Sequence, residues 1–341
     1  YYRRRPTLGL KRSEVIDLDG KFGLHPSLRP IADVWQSGEM AMVHAVGSQD
    51  QTRSHFEAMS AVERGVATPG AALSSGWLAR TLQSVPAKGR SPLRAVAIGT
   101  IMPDSLRGGP VSTTVASLAD YRLNAEPAFA KKLAERYGKA NDEVSSAGRE
   151  TLEVLDTLAK LDFKGAKPAG GATYPNSDFG AAMRQVAMLI RAGVGLEYAC
   201  VDKGGWDTHV VQGSTTGWQA SLLEDLAQGL AAFRSDLGEQ RKRVTVVVLT
   251  EFGRRVGENA GLGTDHGRGS VMFVMDDRTN LRNVAGTWPG LEDEALEDGD
   301  LRVTTDYRTV LAEVLERRLS LPDSSAVFPT LPKSRLGLLA N

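Results

Sequence analysis

The chain has 341 residues, 41% of them apolar, enough to bury a large core as one big domain or two smaller ones. Lysine plus arginine and aspartate plus glutamate both number 41, so the formal charge is zero. That argues against a general polyanion binder, which needs clustered excess positive charge, but leaves room for a local basic pocket. The single cysteine, Cys200, excludes an internal disulfide.

No apolar run reaches the roughly 18 residues that a membrane-spanning helix needs. Tyr1 rather than methionine stands first. Arg3, Arg4 and Arg5 lack the apolar stretch of a twin-arginine signal, so they read as a mature surface segment.

In chain order, FGLHPSL reads as a turn leading into a helix from Leu28 to Trp35. Residues 40–46, MAMVHAV, read as a buried strand, with His44 as a satisfied core histidine. The polar loop GSQDQTR follows, then a helix over about 54–64. RAVAIG at 94–99 reads as a second strand. From 102 to 176 the character changes. Gly108, Gly109 and Pro110 open an irregular region, and helical stretches follow at 127–137 and 141–162. The segment 102–176 is therefore read as a helical insertion or lid on a core formed by 1–101 and 177–341. The second half alternates between helices at 180–192, 218–237 and 306–319 and strands at 195–201, 244–250 and 271–275. VTVVVLT is apolar throughout, as expected of a strand covered on both faces. The pattern predicts an α/β fold, with a mostly parallel sheet flanked by helices on both sides.

In such sheets, ligands bind beyond the carboxyl ends of the strands. After 195–201 comes DKGGWDTH, with Asp207 and His209; after 244–250 comes TEFGRR, with Glu251, Arg254 and Arg255. The same excursion carries GTDHGRG, with Asp265 and His266, and after 40–46 come Ser54 and His55. Carboxylate and imidazole groups suit a divalent cation such as Zn²⁺ or Mn²⁺, and nearby glycines let the backbone come close. Asp207, His209, Glu251, Asp265 and His266 are the candidate metal ligands. Asp-x-His also occurs in plain turns, and Asp265 fits an Asx-turn. Ser54 opens a capping box with Glu57, yet a serine at a helix N-terminus beside metal ions also suits a nucleophile. His55, Arg254, Arg255 and His25 are the candidate substrate contacts. Cys200, in mid-strand, reads as a small buried apolar residue.

FGLHPSL, AVGSQDQTRSHFEA, ERG, GGWDTH, VVVLTEFGRRVGENAGLGTDHGRG, GTWPGL and TTDYRTVLAEVL run in this order over nearly the whole chain. Together they resemble the bacterial domain-of-unknown-function family 1501, which is placed in the alkaline phosphatase and sulfatase clan. The resemblance implies an alkaline-phosphatase-like three-layer sandwich, twin-arginine export to the periplasm or cell surface, a two-metal site and a hydroxyl nucleophile matched by Ser54. It assigns Asp207 and His209 to one metal. Glu251 stands where the clan places an Asp of an Asp-His pair, and Phe252 where the His belongs, which weakens the second metal site. Asp265-His266 supplies a replacement histidine. A first strand of the form GG-x-DG-LNT, whose aspartate is a clan ligand, is expected upstream of Tyr1. Ser54 is followed by HFEAM, not by a formylglycine context, which disfavours sulfatase chemistry. The expected function is metal-dependent hydrolysis of phosphate or related esters of a small anionic substrate. The alternative is a non-catalytic exported protein that binds or assembles an envelope component.

Overall fold

The computed structural model describes residues 1–70, 73–87, 89, 91–110, 112–163, 165–279 and 284–340. The main strands are β1 (Met40–Gly47), β2 (Ala95–Ile98), β3 (Thr113–Val115), β4 (Tyr198–Val201), β5 (Val246–Val248), β6 (Ser270–Met275) and β7 (Thr305–Asp306). The helices are α1 (Arg29–Gln36), α2 (His55–Arg64), α3 (Trp77–Ser84), α4 (Pro127–Gly138), α5 (Glu143–Ala159), α6 (Asp178–Ala192), α7 (Trp218–Leu237) and α8 (Tyr307–Arg318). The fold is mixed α/β: a four-stranded mixed sheet in the order β7-β1-β6-β5 and a three-stranded parallel sheet in the order β3-β2-β4, flanked by helices.

Successive side chains of a strand face opposite ways, and β1 is buried at all eight positions because both of its faces meet a core. Met40 and Met42 join a cluster with Ile31, Leu226, Leu230, Phe233 and Phe273. Ala41 and Val43 join the other cluster, with Met272, Val274, Val310, Leu311 and Phe328. The apolar stripe of α7, spaced at i and i+3 or i+4, supplies the first side. Helix α8 supplies the second and is buried from Tyr307 to Leu315. Its polar groups find partners: the Tyr307 hydroxyl donates to the Ala61 and Val66 carbonyls, both at 3.0 Å. The Glu313 carboxylate accepts backbone N–H groups from Leu336, Gly337, Leu338 and Leu339.

The strand over 271–275 departs from the parallel expectation. β6 runs antiparallel to both β1 and β5, with Met40 opposite Met275 and Val46 opposite Ser270. Between β5 and β6, residues 249–269 form no helix, so no crossover carries the chain back for a parallel pairing. β5 is an edge strand: Val246 and Val248 pack on one core and Val247 on the other, but all three remain partly exposed. α3 and, within the 102–176 segment, the three-residue β3, which pairs with β2 outside it, add to the elements expected from the sequence. His44 is buried at 7% exposure, but its Nδ1 has no hydrogen-bond partner among the described residues, so it is not satisfied there. It lies instead against the rings of Phe22 and Trp288, and burial lowers its pKa. Cys200 is only partly buried.

Candidate metal centre

The strand directions bring three segments to one place. Helix α2 starts just beyond the carboxyl end of β1, Asp207 and His209 follow β4, and Glu251 follows β5. Because β6 is antiparallel, its amino end lies at the carboxyl ends of β1 and β5, and His266 precedes Ser270 by four residues. Residues 253–255 then pair with 265–268: the Gly253 N–H donates to the Arg268 carbonyl, the Gly267 N–H to the Gly253 carbonyl and the Arg255 N–H to the Asp265 carbonyl, each at 2.9 Å. The glycines are required by this closeness, since a Cβ on Gly253 would lie 1.9 Å from the Gly269 carbonyl oxygen.

Oδ1 of Asp207 is the hub. His266 Nε2 lies 2.8 Å from it, His209 Nε2 2.9 Å, Arg254 Nη2 2.8 Å and His55 Nε2 3.5 Å. His55, Asp207 and His266 offer ligand atoms all within 4.8 Å of one another, the span of a single cation. His209 Nε2 is also 3.0 Å from His266 Nε2.

The far nitrogen of each ring is held by an acceptor. His55 Nδ1 is 2.7 Å from Glu251 Oε1, His209 Nδ1 is 2.9 Å from Asp265 Oδ1, and His266 Nδ1 is 2.8 Å from the Arg53 carbonyl. A carboxylate or carbonyl cannot donate, so each Nδ1 carries the proton. In a neutral ring that leaves the Nε2 lone pair free. The three lone pairs then converge on Asp207 Oδ1, an arrangement that calls for a positive charge beside it. Metal-binding histidines are oriented in this way, with the second nitrogen donating to a carboxylate or carbonyl.

Charge points in the same direction. Asp207, Glu251 and Asp265 against the Arg254 guanidinium leave a balance of two negative charges, matched to one divalent cation. Burial alone would raise the Asp207 carboxyl. Hydrogen-bonded and charged neighbours, the Arg254 guanidinium at 2.8 Å among them, outweigh it and hold its pKa well below the usual carboxylate range. Asp265 is likewise lowered, by hydrogen bonds from His209 and Asn259.

All five sequence-predicted ligands therefore gather, in two shells. Asp207, His209 and His266 point inward, whereas Glu251 and Asp265 contact the centre through His55 and His209. His55, read from the sequence as a substrate contact, belongs to the inner set. Phe252 packs its ring 4.9 Å from that of His55 and 4.8 Å from that of His266, as an apolar backing to both.

Ser54 is the N-cap of α2, but its side chain makes no cap hydrogen bond, so the capping box is not formed. Its backbone N–H is bound instead by Thr52 Oγ1 at 3.2 Å. Arg254 is tied to the Thr264 and Trp206 carbonyls as well as to Asp207, which makes it a brace between the two loops. Arg255 points away, to the Asp298 carbonyl and towards Asp300. His25 lies outside the cluster. Its Nδ1 accepts from the Ser27 N–H, which leaves Nε2 to donate to the Ser214 carbonyl at 2.8 Å.

Asn259 escaped the sequence reading. Its Nδ2 donates to the His209 carbonyl and to Asp265 Oδ1, both at 2.9 Å, while its Oδ1 accepts from Gly261 and Gly263. An asparagine in the Gly-rich run GENAGLG was the available signal.

The model of a family described as a protein of unknown function, DUF1501, matches residues 15–327. The chain belongs to the DUF1501 family. The match covers every residue of the centre in this DUF1501 protein, from His55 to His266. No curated protein and no solved structure matches the chain.

Proposed function

We propose that this DUF1501 protein is a divalent-metal-dependent hydrolase of phosphate or related esters, with His55, Asp207, His209 and His266 holding a Zn²⁺ or Mn²⁺ ion. The observation that carries the reading is the set of three imidazoles, each fixed through Nδ1, whose Nε2 atoms converge on one carboxylate oxygen. When bound, such a cation supplies a Lewis acid that polarises a phosphoryl oxygen and makes water more acidic. Glu251, Asp265 and the Arg53 carbonyl keep the imidazoles in the binding tautomer. Ser54, between Arg53 and His55 at the start of α2, is the proposed nucleophile, and its hydroxyl is not consumed by a cap bond. On this reading, the layered core is alkaline-phosphatase-like. The motif resemblance also supports export to the periplasm or cell surface and a small anionic substrate.

Phe252 favours a second reading, a non-catalytic protein on the same fold that binds an envelope component, because its ring backs His55 and His266 at the position where the clan places a metal-binding histidine. Metal analysis of the purified chain and the Ser54→Ala variant decide between the two. Hydrolysis requires near-stoichiometric Zn or Mn, and turnover of a generic phosphomonoester or diester that Ser54→Ala abolishes. The variant's stability should change by only a few tenths of a kcal/mol, not the ~1 kcal/mol of a lost cap. A folded, metal-free protein without turnover would favour the binding reading.

A further inference from the structure

Large apolar side chains stand exposed on the very segments that carry the inner residues. Phe56 follows His55 directly and is 89% exposed. Met59, three residues after Phe56 and four after His55, lies on the same side of α2 and is also exposed. Val210 and Val211 follow His209, and Leu262 precedes Asp265 by three residues; all three are exposed. The last two segments are joined, the Val211 N–H donating to the Gly261 carbonyl and the Gln212 N–H to the Leu262 carbonyl, both at 2.9 Å.

Two of these residues also sit in uncommon backbone. Val211 has φ 46° and Leu262 φ 57°, in the left-handed region that a β-branched residue in particular rarely adopts. Single exposed apolar residues are ordinary on protein surfaces. Here they come from three segments that meet at Asp207, around a centre built of carboxylate and imidazole. Phe252 continues the apolar character inward against two of the rings.

We propose that Phe56, Met59, Val211 and Leu262 form an apolar collar that selects phosphate-like ester substrates carrying an alkyl or aryl group beside the anion. The anion sits at the metal centre, and the collar removes the attached apolar group from water. Small, wholly polar phosphates gain nothing from the collar and are poor substrates. This inference rests on the metal-dependent reading of the same centre.

The test is calorimetric titration of the metal-loaded full chain with methylphosphonate and with octylphosphonate below its micelle concentration. Each methylene withdrawn from water tightens binding roughly fourfold, so octylphosphonate should bind about tenfold tighter or more even if only two methylenes are covered. The double variant Phe56→Ser with Leu262→Asn should lose that preference, with wild-type circular dichroism and metal content as the folding control. Asparagine tolerates the left-handed conformation at 262.

Equal affinity for the two phosphonates in metal-loaded protein would overturn the collar and leave the metal reading standing. Binding to lipid vesicles with no preference between the phosphonates would also overturn it, in favour of a membrane contact. Failure to load metal would overturn the metal reading itself, and the collar with it.

Discussion

Replacing Asp265 with asparagine tests the division into two shells. In the structure Asp265 Oδ1 accepts from both His209 Nδ1 and Asn259 Nδ2, each at 2.9 Å, and its side chain is half exposed. The asparagine carbonyl can take over both bonds while its amide group turns to water, so the geometry survives and only the charge is lost. A hydrogen bond to a charged group contributes about 1.5–3 kcal/mol and a neutral one about 1. The variant therefore loses about 1 kcal/mol of support for His209 as a ligand, or roughly fivefold in metal affinity. His266→Ala removes a nitrogen that touches Asp207 directly. One ligand's share of a binding energy of about 10–16 kcal/mol predicts a loss of about 100-fold or more. Competition with a chromophoric chelator measures both. If Asp265→Asn costs as much as His266→Ala, Asp265 is itself a ligand and the two-shell description is wrong. If neither variant changes affinity, the cation does not sit here.

Two other predictions concern the scaffold. The Glu63 carboxyl is raised above 4.5, first by burial and then by repulsion from Asp202 and Asp104, although it accepts the Asp104 N–H. Its ionisation thus costs folding energy that is absent below pH 4.5 and grows as pH rises through the elevated folded value. Thermal melts should show Glu63→Gln gaining about 1–2 °C over wild type at pH 7.5 and converging with it near pH 4.5; a gain confined to acid pH would reverse the assigned sign. Glu313→Ala strips the acceptor from four consecutive N–H groups beside the buried Leu338 and Leu339. At about 1–3 kcal/mol for each buried unsatisfied group, partly relieved by release of the tail, calorimetry should show a fall of about 5 °C or more, and limited proteolysis should cut first after 330.

What the sequence disclosed and what it withheld divide along the range of the interactions. Apolar periodicity is local, so α6, α7 and α8 and strands β1, β2 and β6 are legible from runs such as MAMVHAV and the leucines of 222–237. The candidate residues are also legible as polar groups clustered in loops at strand ends. The shell to which each belongs is not, because a histidine's inward nitrogen is decided by the partner of the other one. Those partners lie 196 residues away for His55, 56 for His209 and 213 for His266. Nothing near His55 in the sequence announces Glu251, so its place beside Asp207 could not be read there.

Strand direction was the other hidden variable, and it bears on the site more than any single residue. A parallel β6 would begin at the amino edge of its sheet, and Asp265 and His266, only a few residues before it, would lie at the far side from Glu251 and His55. Reversal of β6 puts Ser270 opposite Val46 and carries His266 to within 2.8 Å of Asp207. A parallel β6 and a shared centre are therefore incompatible. The long helix-free connection over 249–269, with glycines where its two arms touch, allows the centre to form. The same connection carries Glu251, Phe252, Arg254, Asn259, Leu262, Asp265 and His266, so one excursion supplies the outer carboxylates, the apolar backing, the brace, one inner imidazole and part of the proposed collar. Such concentration in a connection whose sheet needs only a turn is better explained by the demands of a ligand site than by those of folding.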